Sequence, residues 1–308
     1  MASSGRDALY TTMEKALADR AAVIGSFDGV HKGHATLIRA LLDEARKRNI
    51  QSVAITFDPP PSLYFNPHFN FLLTTKKEKE ELLLAAGIAQ VRFLGFSGVV
   101  DKEPERFVSD ELLTMNIRLL TVGQGFRFGR KRAGDVEVLR SAGQEHGFDV
   151  RVIAKEEFEG EPISATRIRE LLLLGHICRA NALLGYEYRL KGEAARGLGR
   201  AGALLDTPTV NLKPDDTHKL VPPDGIYAVR FGTGRRPGIC YIGSSPTFGD
   251  STHKIEAHLL EGSPEEETKP IIHFVERLRP DRKFSSLAAL KEQVKEDVAQ
   301  ARRVLSQR

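Results

Sequence analysis

Up to about Gly185, short apolar runs take turns with amphipathic stretches; beyond Tyr186 that alternation stops. No other feature of the chain constrains its fold as strongly. Runs at 21–24, 52–57, 90–94, 118–122 and 149–153 predict strands, and the stretches 35–47, 76–86, 104–115 and 134–146 predict helices between them. The second of these helices opens with Thr75-x-x-Glu78, the pattern of a capping box, and closes at Gly87. Strand–helix alternation of this kind builds a parallel sheet covered on both faces, with ligands outside the carboxyl ends of its strands. In the second half the strand-like runs are 227–231, 238–242, 254–260 and 271–275, broken by Gly and Pro. A helical period returns only at Leu287, where Leu287, Leu290, Val294, Val298, Ala301 and Leu305 recur at spacings of three and four. A small antiparallel barrel closed by a C-terminal helix fits this half. With 308 residues the chain has room for two domains, and the change of pattern places their boundary at 185/186.

The stretch "GSFDGVHKGH", residues 25–34, lies where the first strand gives way to the first helix. Gly29 and Gly33 let the backbone approach a ligand, and the helix starting near Gly33 offers free N–H groups to an anion. His31 and His34, flanking that turn, are suited to donate N–H bonds to phosphate oxygens, where charge gathers as a phosphoryl group is attacked. A turn residue followed by an ordinary helix-start residue, or a metal site, are the competing readings of an isolated H-x-G-H. A second element, "ISATRIR" (163–169), gives Ser164 as an N-cap with Thr166, Arg167 and Arg169 in the first turn. Basic residues there oppose the helix dipole, and a bound polyphosphate resolves the conflict.

Charge narrows the partners. The net charge is only +4, with lysines and arginines scattered among acids and no basic run interleaved with aromatics, which argues against nucleic acid. Two cysteines far apart, Cys178 and Cys240, exclude a disulfide framework and a zinc ribbon. The N-terminal stretch lacks the apolar core of a signal peptide and no run reaches transmembrane length, so a cytoplasmic protein without a membrane partner is expected. Oligomeric state is not legible in the sequence.

With "ITFDPPP" and "FRFGRKRAGD" between them, in the family's order and spacing, these elements make the first half resemble the adenylyltransferase module of bacterial FAD synthetases, an α/β nucleotidyltransferase with a Rossmann-like parallel sheet. The second half, through "TPTVNL", "PPDGIYAV", "GSSPTFGD", "KIEAHLL" and "KFSSLAALKEQVKED", resembles the riboflavin kinase module fused to it in the bifunctional enzyme. The resemblance implies two ATP-dependent reactions with small-molecule substrates: riboflavin to FMN, and FMN to FAD plus pyrophosphate, with Mg²⁺ as cofactor. For the first module it implies catalytic roles for His31 and His34. ATP contacts would come from Gly25, Phe27, Asp28, His31, Gly33, His34, Ser164, Thr166 and Arg169, and flavin contacts from Asp58, Phe126 and Phe128. Asp28 would order the turn or assist the metal. For the second module it implies Glu256 as the base, Thr209 and Asn211 as Mg²⁺ ligands, and Gly197, Gly199 and Arg200 as the phosphate-side loop. The chain departs from the family's pattern at Pro60, Gly125, Asp206 and the segment "EGSPEEETKP" (261–270). Those departures keep a second reading open: a monofunctional FMN adenylyltransferase whose kinase-like half is inactive or only binds flavin. A non-catalytic flavin-binding role is the rival from another class.

Overall fold

The computed structural model describes residues 19–195, 209–244, 253–261 and 269–307. By packing, these fall into two compact units: residues up to Phe69 with Thr74–Ile163, and Asn70–Leu73 with the chain from Ser164 onward.

The first unit is a five-stranded sheet of β1 (Arg20–Ile24), β2 (Gln51–Asp58), β3 (Gln90–Gly95), β4 (Ile117–Gly123) and β5 (Asp149–Ile153). Every pairing in it is parallel, and the strand order is β3-β2-β1-β4-β5. The central strands read as nearly unbroken apolar runs because both faces are covered. Alternate residues of β1 divide between two cores. Ala22 and Ile24 join Val53, Ile55, Phe57, Leu120 and Val122 on one face. Ala21 and Val23 join Ala54 and Leu119 on the other, under α1 (Lys32–Arg48) and α2 (Lys76–Ala85). The first of these helices contributes Ile38, Leu41 and Ala45, and the second contributes Leu83. Truncating a side chain as enclosed as Leu41 typically costs about 2–5 kcal/mol. On the first face sit short turns of helix and α3 (Val136–His146), which brings Leu139.

All five expected strands and the expected helices are present, with local differences. The capping box forms: Thr75 accepts from the Glu78 N–H, and Glu78 accepts from the Thr75 N–H. α3 begins two residues later than expected because Asp135 caps it, accepting from the N–H groups of Glu137 and Val138. The stretch expected as one helix, 104–115, is three segments: a regular turn at Pro104–Phe107, a wider one at Val108–Leu112 and a tighter one at Leu113–Met115. Side-chain spacing does not distinguish such changes of winding.

The second unit begins with α4 (Ala165–Leu173) and α5 (Ile177–Leu184). Six antiparallel strands follow: β6 (Arg189–Ala195), β7 (Thr209–Pro214), β8 (Gly225–Phe231), β9 (Arg236–Ser244), β10 (His253–Leu259) and β11 (Ile271–Pro280). They close into a barrel of order β8-β9-β10-β7-β6-β11. Closure removes the unpaired edges that an open sheet would present. α6 (Leu287–Ser306), capped by Ser286, lays Ala301 and Leu305 on Ile226, Ala228, Ile239 and Val275. β6 and β7 do not appear among the strands expected from the sequence, since "RLKGEAA" and "TVNLKP" carry no clean alternation.

Candidate active sites

β1 sits at the point where the strand order reverses, with β2 on one side and β4 on the other, and "GSFDGVHKGH" leaves its carboxyl end. The turn there is backbone-strained. Phe27, Gly29 and Val30 have φ of 48°, 80° and 36°, in the left-handed region that side chains usually avoid. Phe27 and Val30 hold those angles by being buried at 1% and 8% exposure. Asp28, buried as well, clamps the turn: one carboxylate oxygen accepts from the Thr74 N–H at 3.0 Å and from its hydroxyl at 3.1 Å. The Gly29 N–H in turn donates to the Thr74 hydroxyl oxygen at 3.0 Å. Of the two roles considered for Asp28, ordering the turn is the one this bonding serves.

His31 is the N-cap residue of α1 and makes no side-chain cap bond; the first turn of that helix carries no acid. The rings of His31 and His34 stack with centroids 3.7 Å apart and planes 19° apart, and Phe27 meets His34 edge-on at 5.1 Å. Gly33 permits this stack, because a Cβ there would lie 3.2 Å from His31 Nδ1. Burial, then the charges of His31 and Lys79, push the pKa of His34 well below the ordinary imidazole value. At neutral pH it therefore offers a neutral ring, whose N–H dipole rather than a full charge faces an anion.

Asp58 ends β2 and pairs with Lys76 at 2.6 Å. Phe126 is half-buried and stacked on Phe128 at 5.7 Å, whereas Phe128 is a core residue, 5% exposed, with its ring against Phe107. Of that pair, Phe126 is the one with free surface. Tyr64, Phe65 and Phe96 form an edge-to-face triangle beside the ends of β2 and β3, with Phe65 70% exposed. Sequence reasoning missed this group, since Phe96 lies some thirty residues from the adjacent Tyr64 and Phe65 and no periodic signal links them. Lys79 and Thr74 escaped it too: each reads as an ordinary polar residue around a helix start.

In the second unit, Ser164 caps α4 by accepting from the Arg167 N–H at 3.2 Å. Thr166 is exposed, and Arg169 Nε donates to the Phe71 carbonyl at 2.9 Å.

On the barrel, Asn211 pairs with Glu256 and Thr209 with His258 across β7 and β10. Directly opposed residues point to one face of a sheet, so four polar side chains from distant sequence stand on two rungs. Asn211 is 8% and His258 5% exposed, and Asn211 Nδ2 and His258 Nδ1 are buried without hydrogen-bond partners. Glu256 lies close enough to Cys240 for its charge to add to burial in raising that thiol's pKa. Gly197, Gly199, Arg200 and Asp206 lie outside the described residues, as do Glu265, Glu266 and Glu267 of the departed segment.

The FAD synthetase family model matches residues 13–167, and the riboflavin kinase family model matches residues 184–305. The bifunctional riboflavin kinase/FMN adenylyltransferase of Escherichia coli K12 is 32% identical over 286 residues, covering 91% of this chain and 90% of that one. The chain belongs to the bifunctional riboflavin kinase/FMN adenylyltransferase family. The Pseudomonas fluorescens relative of that name is 31% identical, covering 91% of each chain. A crystal structure described as a macrolide-efflux protein from Streptococcus pneumoniae superposes with a TM-score of 0.82 at 26% identity, over 92% of this chain and 94% of that one. Among the described residues, no helix is long and apolar enough to cross a membrane.

As in the bifunctional family at large, both enzymatic domains are present in this member. Among the described residues, no group of three or more His, Cys, Asp or Glu side chains is placed to hold a metal ion. Thr209 and Asn211 offer another donor set, neutral oxygens, suited to Mg²⁺ that draws its remaining ligands from phosphate and water. The buried Nδ2 of Asn211 has no hydrogen-bond partner, and an N–H₂ group so placed calls for an acceptor such as a phosphate oxygen.

Proposed function

We propose that residues 1–185 transfer the adenylyl group of ATP to FMN, and that residues 186–308 phosphorylate riboflavin to supply it. What supports this reading most directly is that the two family matches divide the chain between them, one to each half.

In adenylyl transfer, an oxygen of the FMN phosphate attacks the α-phosphorus of ATP and pyrophosphate leaves. No covalent enzyme intermediate is needed, so holding two anions in line and stabilising the spreading charge can supply the rate. The uncapped first turn of α1, with His31 and His34 stacked over it, presents backbone and ring N–H groups to the ATP phosphates. Gly25, Phe27, Asp28 and Gly33 shape and hold that turn. The roles of Ser164, Thr166 and Arg169 toward ATP rest on the motif. Asp58 and Phe126 face the flavin, and the Tyr64–Phe65–Phe96 triangle is a surface suited to a flat ring.

In the kinase reaction, a ribityl hydroxyl attacks the γ-phosphorus and its proton needs an acceptor. Glu256 is that acceptor, with Asn211 opposite it on the same rung. Thr209 and Asn211 would hold Mg²⁺, which supplies positive charge to the ATP phosphates when bound. Cytoplasmic location is part of the same reading.

The test is to incubate the pure protein with riboflavin, ATP and Mg²⁺ and to separate FMN and FAD by chromatography. FAD from riboflavin establishes both steps. FAD only from supplied FMN would return the second half to a flavin-binding role.

A further inference from the structure

The groups assigned so far account for the ATP phosphates and for the flavin ring. None accounts for the phosphate of FMN, the anion that does the attacking. Lys79 is placed for it. The start of α2 is tied on one side to the histidine turn, through the bonds of Thr74 to Asp28 and Gly29. On the other side it is tied to the flavin-facing end of β2, through Lys76 and Asp58 at 2.6 Å. Lys79 follows Lys76 by three residues and Thr75 by four, so it shares their face of the helix one turn further in.

Lys79 is 3% exposed. Among the described residues its ammonium makes no ion pair and no hydrogen bond; only its backbone N–H is bonded, to the Thr75 carbonyl. The two carboxylates within its electrostatic reach are Asp28 and Asp58, already bonded to Thr74 and Lys76. Its charge is also felt at His34. An ammonium without a bonded partner, at the end of a side chain this deeply buried, is favoured by an anion that arrives to complete it.

We propose that Lys79 binds the phosphate monoester of FMN and sets it beside His34 for attack on ATP. This rests on the adenylyl-transfer reading of the histidine turn. A bond forms between an FMN phosphate oxygen and the α-phosphorus, and the bond from that phosphorus to the β-phosphate oxygen breaks. Pyrophosphate leaves with the electron pair, and Lys79 keeps its protons throughout. Burial draws the Lys79 amine below its ordinary pKa while Asp28 and Asp58 hold it up, and a doubly charged phosphate would favour the ammonium further.

The experiment compares the full chain with Lys79→Gln and Lys79→Arg in FAD formation from supplied FMN. Lumiflavin, which has the ring but no ribityl chain or phosphate, serves as a competitive inhibitor that the kinase half cannot phosphorylate. Lys79→Gln should raise the KM for FMN about 10- to 100-fold, the loss of one charge-assisted phosphate bond. The KM for ATP and the Ki of lumiflavin should stay within about twofold, and Lys79→Arg should recover most of the loss. An unchanged KM for FMN overturns the proposal. So does a joint rise of all three constants, or loss of folded protein in both variants by circular dichroism, since either makes Lys79 a structural counter-ion of Asp28. If the unaltered chain makes no FAD from FMN, the adenylyl-transfer reading itself has failed, and that result is separate from any effect of the variants.

Discussion

Asn211 and Glu256 stand directly opposite each other across β7 and β10, two rungs from Thr209 and His258, with the Val210–Ala257 rung between. Their neighbourhood is set by the register of the barrel itself. Glu256→Gln should therefore abolish FMN formation from riboflavin and leave FAD formation from supplied FMN nearly untouched. The amide keeps the size of the side chain but cannot take the hydroxyl proton, a loss of roughly 100- to 10,000-fold for a general base. Product ratios by chromatography decide it; a parallel fall of both activities would mean that the two reactions are not independent.

His34 is expected to behave in the opposite sense. His34→Ala removes a phosphate donor and one ring of the 3.7 Å stack, and should lower FAD formation on the order of 100-fold. Kinase turnover in the same protein should be preserved. Near-normal adenylyl transfer would take the stacked pair out of the chemistry.

Thr74→Val tests the clamp on the strained turn. It leaves the backbone bond from residue 74 to Asp28 but removes the hydroxyl that both donates to Asp28 and accepts from Gly29. Hydrogen bonds to a buried charge are worth about 1.5–3 kcal/mol, so denaturant unfolding should show a loss of that order. FAD formation should fall as well, because Phe27 and Val30 would no longer be held at positive φ. A variant as stable and as active as the parent would show that burial alone keeps the turn.

Acid should loosen the barrel. Burial lowers both His258 and His273 to about 4, with nearby arginines and Lys191 adding to the effect at His273. The unfolded chain binds protons at these rings near the ordinary value of about 6.5, whereas the folded chain resists until about 4. Stability is thus complete above about 6.5 and falls with pH through that window, on the order of 3 kcal/mol for each ring at most. Thermal unfolding between pH 7 and 4 should show a shallower decline for the double variant His258→Gln, His273→Gln than for the parent. Parallel curves would acquit the two histidines.

Much of the fold was legible because burial on both faces writes itself into β1, β2 and β4 as apolar runs, and because Thr75 and Ser164 announce their helices by capping chemistry. β6 and β7 were illegible for the complementary reason. A strand such as β6, with Gly192 against the Lys213 backbone and lysine, glutamate and alanines around it, is held by its barrel neighbours rather than by its own pattern. At the sites, residues inside compact motifs could be named from sequence. Lys79, Thr74, His258 and the Tyr64–Phe65–Phe96 triangle could not, since each matters through what tertiary pairing sets beside it. Phe128 shows the reverse: a motif residue whose ring the core has claimed.

The parallel order of the first sheet also has a consequence in time. β1 is synthesised before its partner β4, which pairs Ile117 with Arg20 from roughly a hundred residues later in the chain. At elongation rates of about 5–20 residues per second, the histidine turn waits several seconds on the ribosome with one flank of its strand open. A nascent chain arrested before β4 would carry the whole H-x-G-H motif and yet no site, because the strand that aims it is not yet held on both sides.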